Sequence, residues 1–379
     1  MKFNGDRMRV LRRFHDLSQR ELGETIGSPA STITAYERGR STPKGLALDA
    51  LCAALNVQSE FFFDWTPFKE YQEPDANFRS LARTPAHLRD KIVAHASLFG
   101  LVIEYLTKDV ITLPEFRLPS ITVKNYDDIE QAAERCRIEL GVGAIGPIGD
   151  VIHVAEHAGV VVTVLDKKVS KEVDAFSLYG TNSLIVLNPA KESATRMRFD
   201  VAHEIAHGSL HRNSIPMDLG EKEDQAHYFA SAFLMPKRSF AREFWNLGTH
   251  RDWPQLFELK ERWGVSVVAI IVRAYQLGLI DAAEYRRRCK MMSKRGWFRS
   301  PEPMEPACEV PQLFGIALRR FSEETGKGAR EIASELNWTP TMFTDVTGIS
   351  TDATPITTEF EATPVTSFEE FRQRKLSAG

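Results

Sequence analysis

The 379 residues are long for one domain and are 43% apolar and 26% charged, so two or three compact globular units are expected. A net charge of −3 excludes a chain that is basic throughout, although residues 1–44 hold nine Lys/Arg against five Asp/Glu, a local +4 suited to phosphate contact. Cys52, Cys136, Cys289 and Cys308 form no C-x-x-C pair, which excludes a disulfide framework and a thiolate zinc site, and no apolar run reaches the roughly 18 residues of a membrane span. The charged N-terminus lacks an apolar secretory core, so the expectation is a cytoplasmic protein with no membrane association.

Residues 5–63 read as a run of short helices. "RVLRRFHDL" is amphipathic. "SQRELGETIG" begins on a Ser18 N-cap with Glu21 three residues on and stops at Gly27. "PASTITAYERG" starts with proline in its first turn and closes on Gly39, and "PKGLALDALCAALNV" follows with apolar residues at Leu46, Leu48, Leu51, Leu55 and Val57. Two short helices joined at Gly27 make a helix-turn-helix shape, with Leu22, Ile26, Ile33 and Tyr36 inward and Ser31, Thr32, Thr34 and Ala35 outward. Gln19, Arg38 and Arg40 fall at helix ends, where phosphates would be met, so the candidate DNA contacts are Gln19, Ser31, Thr32, Thr34, Arg38 and Arg40. The rival reading is a helical bundle used for dimerisation or as a protein adaptor.

"FFFDWTPFKEYQEPDANF" reads as a docking edge or linker, and a long helix is expected over 85–106, then a proline-punctuated connection. A helix over 126–140 precedes "AGVVVTVL", "AFSLYG" and "SLIVLN", three β-branched runs that predict a small sheet. Helices are expected from 193 to 292, "RGWFRSPEPMEP" is a linker, and a smaller helical segment follows near 311–338. The Thr/Pro-rich stretch from 339 reads as mobile or loosely attached.

The chemistry concentrates in "RFDVAHEIAHGSLH". Residues four apart share one face of a helix, so His203 and His207 can point ring nitrogens at one ion, with Glu204 beside it to take a proton from an activated water. At least one more protein ligand is needed, and the next helical segment offers Glu221, Glu223, Asp224 and His227. His211 lies roughly 6 Å further along the helix, too far to share the ion, and reads as a polar residue near the helix end. His153 and His157 repeat the spacing without a base between them and read as a helix surface. Tyr179 and Tyr228 are candidates for stabilising an oxyanion, and Arg196 and Arg198 for bracing the fold through acids.

Two resemblances follow from these residues. "LSQRELGETIG…STITAYERGRSTP…LDALCAALNV" resembles the XRE (lambda-repressor-like) helix-turn-helix family over nearly all of 5–63. Ala30 and Ala35 stand where that family often carries long polar side chains, which shifts readout toward shape and backbone contacts. "RMRFDVAHEIAHGSLH" followed by E-x-x-A-x-x-F-A-x-x-F-L-M-P is similar to the ImmA/IrrE family of zinc metallopeptidases, as are "NFRSL" (77–81), "VDAFSLYG" (173–180), "WGVSVVAIIVRAYQLGLI" (263–280) and "KRGWFRSPEP" (294–303).

The resemblance implies an α+β, mostly helical fold. Its expected parts are a five-helix lambda-repressor-like domain at 1–66, a helical connector at 67–125 and a zincin-like metallopeptidase domain with a small β-sheet at 126–296. A C-terminal helical segment at 297–350 and a Thr/Pro-rich tail at 351–379 complete it. It also implies Zn²⁺ held by His203, His207 and Glu223, with Glu204 catalytic, and supporting positions for His211, His227 and Tyr228. His227 falls where Asn or Asp is usual, which leaves it either hydrogen-bonding behind the ligands, the preferred reading, or entering the metal shell itself. The implied partners are operator double-stranded DNA, a repressor or antitoxin-like substrate protein and a second copy in a homodimer, in a stress-response setting. The rival from another class is a non-proteolytic regulator that binds or senses zinc.

Overall fold

A computed structural model describes residues 2–64, 85–165, 175–180, 182–189, 192–212, 217–248, 251–298 and 300–352. The "NFRSL" match, most of the aromatic linker and the tail from 353 lie outside the described residues.

Four α-helices open the chain: α1 (Gly5–Phe14), α2 (Gln19–Thr25), α3 (Ala30–Glu37) and α4 (Leu46–Leu55). Asn4 caps α1, and Ser18 with Glu21 forms the expected capping box on α2. The expected fifth helix is a single 3-10 turn, Ser59–Phe62. Phe61 and Phe62 are fully buried there, so side-chain packing holds a segment too short to sustain an α-helix. The close fit of α1 on α3 depends on Gly5, where an added Cβ would stand 2.4 Å from the Glu37 carbonyl oxygen.

The long helix α5 (Ala86–Thr107) packs along α1, and α6 (Tyr126–Glu139) and α7 (Val151–His157) lead into the sheet. Strands β1 (Val161–Val164), β2 (Phe176–Leu178) and β3 (Leu184–Leu187) are ordered β1-β3-β2. β1 runs parallel to β3 with Val161 opposite Leu184, and β2 runs antiparallel with Ser177 opposite Ile185. Then come α8 (Ala194–Ala206), α9 (Leu219–Leu234), α10 (Lys237–Asn246), α11 (Trp253–Trp263), α12 (Val267–Gln276), α13 (Ala282–Lys294), α14 (Leu313–Thr325), α15 (Ala329–Glu335) and α16 (Pro340–Thr347). Among the described residues no helix is long and apolar enough to cross a membrane.

Two hydrophobic cores divide the molecule, and the sheet is the wall between them. Successive side chains of a strand point to opposite faces. Val161, Phe176, Leu178, Leu184 and Val186 join a core shared by α1–α5 and the C-terminal helices. Val162, Ile185 and Leu187 join the core of α6–α13.

The stretch from 339 was expected to be loosely attached, and its first part is instead a packed helix. Thr339 caps α16, Pro340 occupies its first turn, and Met342, Phe343 and Val346 are buried. Trp338, 1% exposed, pairs through its backbone with Val57, and Thr339 N–H donates to the Asn56 carbonyl at 3.1 Å. The C-terminal helices thereby close onto the N-terminal domain.

The linker over 300–312 is a strap that places three glutamates at the N-termini of three helices, where backbone N–H groups lack helical partners. Glu302 accepts from the N–H groups of Val267 and Val268, Glu305 from Thr195 and the Ser193 hydroxyl, and Glu309 from Val151 and Ile152. Buried Lys260 pairs with Glu302 and Glu305, and Arg198 pairs with Glu309. Of the two arginines expected to brace the fold, Arg198 does so, and Arg196 is exposed.

Candidate metal centre and DNA-facing helices

Ser193 starts α8 by accepting from the Arg196 N–H, and the helix carries His203 and Glu204 into the interior. At His207 the winding loosens into a wide π turn, His207–His211, of a kind that recurs at functional sites. Gly208 sits in this turn against Tyr179 and Leu118, where a Cβ would come within 2.6 Å of each, so the close approach requires glycine. The Ile121 N–H donates to the Ser209 carbonyl at 2.8 Å, tying the loosened turn to the segment before α6.

Helix α9 packs on α6 and α8 and brings Glu223 to the two histidines. His203 Nε2 and His207 Nε2 are 3.1 Å apart, and the Glu223 carboxylate oxygens lie 3.4 Å and 3.3 Å from them. Bonds of about 2.0–2.1 Å at a tetrahedral centre put neighbouring ligand atoms about 3.3 Å apart, so this triangle has the dimensions of three zinc ligands. The donor set fits as well: two imidazole nitrogens and a carboxylate converge on one point. Although burial raises the Glu223 carboxyl, the imidazoles of His203 and His207 beside it outweigh that and hold the group ionised below its ordinary range. Burial lowers His207 to about 3, keeping it neutral and able to offer a lone pair.

A chain of hydrogen bonds decides which nitrogen of His207 offers that lone pair. The Glu221 carboxylate accepts from Gln225 Nε2 at 3.4 Å, and Gln225 Oε1 lies 3.1 Å from His211 Nε2. His211 Nε2 therefore carries a proton, and its Nδ1, 2.9 Å from His207 Nδ1, accepts from that atom. His207 Nε2 is left unprotonated and faces His203 and Glu223. His211 is thus buried, at 6% exposure, and engaged on both sides; it is not the polar helix-end residue that its spacing suggested. The sequence did not reveal the loosening of the helix that turns it inward.

Glu204 is 2% exposed and accepts from the Ser177 hydroxyl at 2.5 Å. Burial pushes its carboxyl up to about 7, with His203 and the Ser177 hydroxyl opposing the rise. Ser177 was not singled out from the sequence. The signal was a polar residue between Phe176 and Leu178, whose alternation turns it to the other side of the strand. Neither tyrosine is free to meet an oxyanion: Tyr179 donates to the Glu204 backbone carbonyl at 2.5 Å, and Tyr228 donates to Glu130 at 3.0 Å, beside Arg273. Tyr228, for which a supporting position was expected, has its hydroxyl turned to Glu130 on α6. His227 stands at the mouth of the site, exposed, with its ring 4.5 Å from that of His203 and Nδ1 2.9 Å from the Glu223 carbonyl. His153 and His157 lie exposed on α7 with rings 4.7 Å apart.

In the N-terminal domain, Ser31, Arg38 and Arg40 are exposed and Thr32 is half-buried. Gln19 and Thr34, expected on the outward face, have their polar atoms engaged inside the domain. The Thr34 hydroxyl donates to Gln19 Oε1 at 2.7 Å, and Gln19 Nε2 donates to Glu37 at 2.7 Å, which also receives Arg12 at 2.6 Å. This network ties α3 to α1 and α2 through the side chains of Gln19 and Thr34.

Residues 155–275 match the family model of the IrrE N-terminal-like domain, and residues 9–62 match a helix-turn-helix family model. No curated protein matches the chain. The first match carries a metallopeptidase-type domain, which implies a bound metal ion, and the second carries a DNA-binding domain. Together the two matches correspond to the ImmA/IrrE architecture, a metallopeptidase-type domain preceded by an XRE-type helix-turn-helix domain.

Proposed function

We propose that this chain is a cytoplasmic, DNA-bound transcriptional regulator that is also a zinc metalloendopeptidase, cleaving a repressor or antitoxin-like protein partner and working as a homodimer on its operator. The observation that carries the reading is the triangle of His203, His207 and Glu223 atoms at 3.1–3.4 Å with a buried carboxyl, Glu204, on the neighbouring residue. His203, His207 and Glu223 would hold the ion and leave one tetrahedral position open. Bound there, zinc supplies Lewis acidity to a peptide carbonyl and acidifies water.

Glu204 performs the proton transfers. Its Oε2 is committed to Ser177, which leaves Oε1 to accept the proton of the attacking water and then deliver it to the leaving amine. A carboxyl held at about 7 is matched to both tasks near neutral pH. An extended substrate segment would add to the outer edge of β2, the end strand of the sheet, beside Ser177.

The experiment is Glu204→Gln in the full chain. It should retain metal, lose cleavage by a factor of about 10²–10⁴, and trap the partner for identification by mass spectrometry. If every regulatory phenotype survives Glu204→Gln, the chain acts as a zinc-binding or sensing regulator without cleavage.

A further inference from the structure

His227 stands exposed beside two of the residues that would hold the ion, His203 and Glu223. We propose that His227 is a fourth, displaceable metal ligand, closing the shell formed by His203, His207 and Glu223 until a substrate takes its place. The proposal rests on the metal-site reading above.

Two independent features support it. The first is position: one ring nitrogen of His227, one of His203 and a Glu223 oxygen all lie within 4.8 Å of one another. Atoms bound to one tetrahedral ion stand about 3.3 Å apart, so the His227 ring would have to swing inward to complete the set. That swing is open to it because its side chain is exposed, with the Phe199 ring 6.0 Å and the His203 ring 4.5 Å away.

The second feature is the tautomer. A backbone carbonyl can only accept, so the 2.9 Å approach of His227 Nδ1 to the Glu223 carbonyl puts a proton on Nδ1. In the neutral ring the lone pair is then on Nε2, which has no hydrogen-bond partner among the described residues. This is the arrangement of a histidine prepared for ligation, one nitrogen donating to a carbonyl and the other presented to a cation. The carbonyl belongs to Glu223, so the third and fourth ligands are oriented by one turn of the same helix. An Asn or Asp at this position could still hydrogen-bond but would offer no imidazole.

The consequence is a site with two forms. With His227 bound, the ion has four protein ligands, as in structural zinc sites, and no position for substrate. With His227 withdrawn, the ion has the three-ligand shell of a catalytic site. Passing from one form to the other would replace one nitrogen ligand by one oxygen ligand, with no change of oxidation state.

The test uses the full chain loaded with Co²⁺, read by visible absorption, together with Zn²⁺ affinity by competition against a chromophoric chelator. His227→Asn should weaken Zn²⁺ binding about tenfold or more and change the position or intensity of the Co²⁺ bands, because one nitrogen leaves the shell. His227 is exposed, so folding should be unaffected, which circular dichroism checks. Unchanged affinity and spectrum would overturn the proposal. Weaker binding with an unchanged spectrum would overturn it too, since the residue would then act only through hydrogen bonds. His203→Ala separates this from failure of the metal-site reading: if His203→Ala also binds metal normally, the ion is held elsewhere and both readings fall.

Discussion

Replacing His211 by Ala tests whether the buried relay behind His207 governs metal binding. His211 Nδ1 is the acceptor that holds His207 Nδ1–H, at 2.9 Å, and thereby keeps the His207 Nε2 lone pair directed at the centre. Without it, His207 can take the other tautomer or turn, and Gln225 Oε1 loses its donor at 3.1 Å. Removing such an outer partner costs about 10–100-fold in metal affinity, or about 1.4–2.8 kcal/mol of binding free energy at about 1.4 kcal/mol per tenfold. Gln225→Leu breaks the chain one link further out and should cost less. Because the two act in series, the double variant should bind metal no more weakly than His211→Ala alone. The assay is a chelator competition on the full chain near pH 7.5, with circular dichroism to confirm folding. A folded His211→Ala protein with undiminished affinity, or costs that simply add, would refute the relay.

Further outcomes are expected elsewhere. Gly208→Ala drives a methyl to 2.6 Å from Tyr179 and Leu118 and should cost about 1–3 kcal/mol in a denaturant titration. Trp338→Ala empties a fully buried site between the C-terminal helices and Val57; a loss of about 3–5 kcal/mol should appear, with faster hydrogen exchange in residues 56–58. Replacing Arg38 and Arg40 together by Gln should flatten the plot of log K for duplex binding against log salt by about 0.9 for each phosphate no longer neutralised, and an unchanged slope would remove both from the interface. Burial raises the Glu305 carboxyl, yet its bonds to Lys260 and Thr195 prevail and hold it below the ordinary value of 4.5. A depressed carboxyl contributes stability above the unfolded value, and this is lost as pH falls through the folded one. Protease cleavage within 300–312 should therefore accelerate below pH 4.5, and less so in Glu305→Gln.

Much of the site was legible because its chemistry is local. His203, Glu204 and His207 lie within one turn and a half of helix, and Glu223 follows on the next helix, one of four candidates there that only the resemblance narrowed to it. The three strands announced themselves through β-branched runs bounded by turns. What stayed hidden depends on partners distant in sequence. Glu302, Glu305 and Glu309 looked like linker acids because nothing near them shows that helix N-termini 35 to 158 residues earlier await carboxylates. Pro340 and its threonines suggested a loose tail, although Thr339-Pro340 is also how a helix begins, and the buried Met342 and Phe343 decide between the two. His211 was misplaced because regular α-helical geometry was assumed where the chain takes a wider turn.

The two-sided sheet has a mechanical consequence. Phe176 and Leu178 belong to the core shared by α1–α5 and the C-terminal helices, and the residue between them holds the Glu204 carboxyl. Three consecutive residues share rigid peptide planes, and packed interiors are nearly incompressible. Any repacking that shifts Phe176 or Leu178 therefore shifts the Ser177 hydroxyl by a comparable distance, and a hydrogen bond of 2.5 Å is sensitive to displacements of tenths of an ångström. The Glu204 carboxyl is thus coupled to the packing of that shared core through a partition one strand thick.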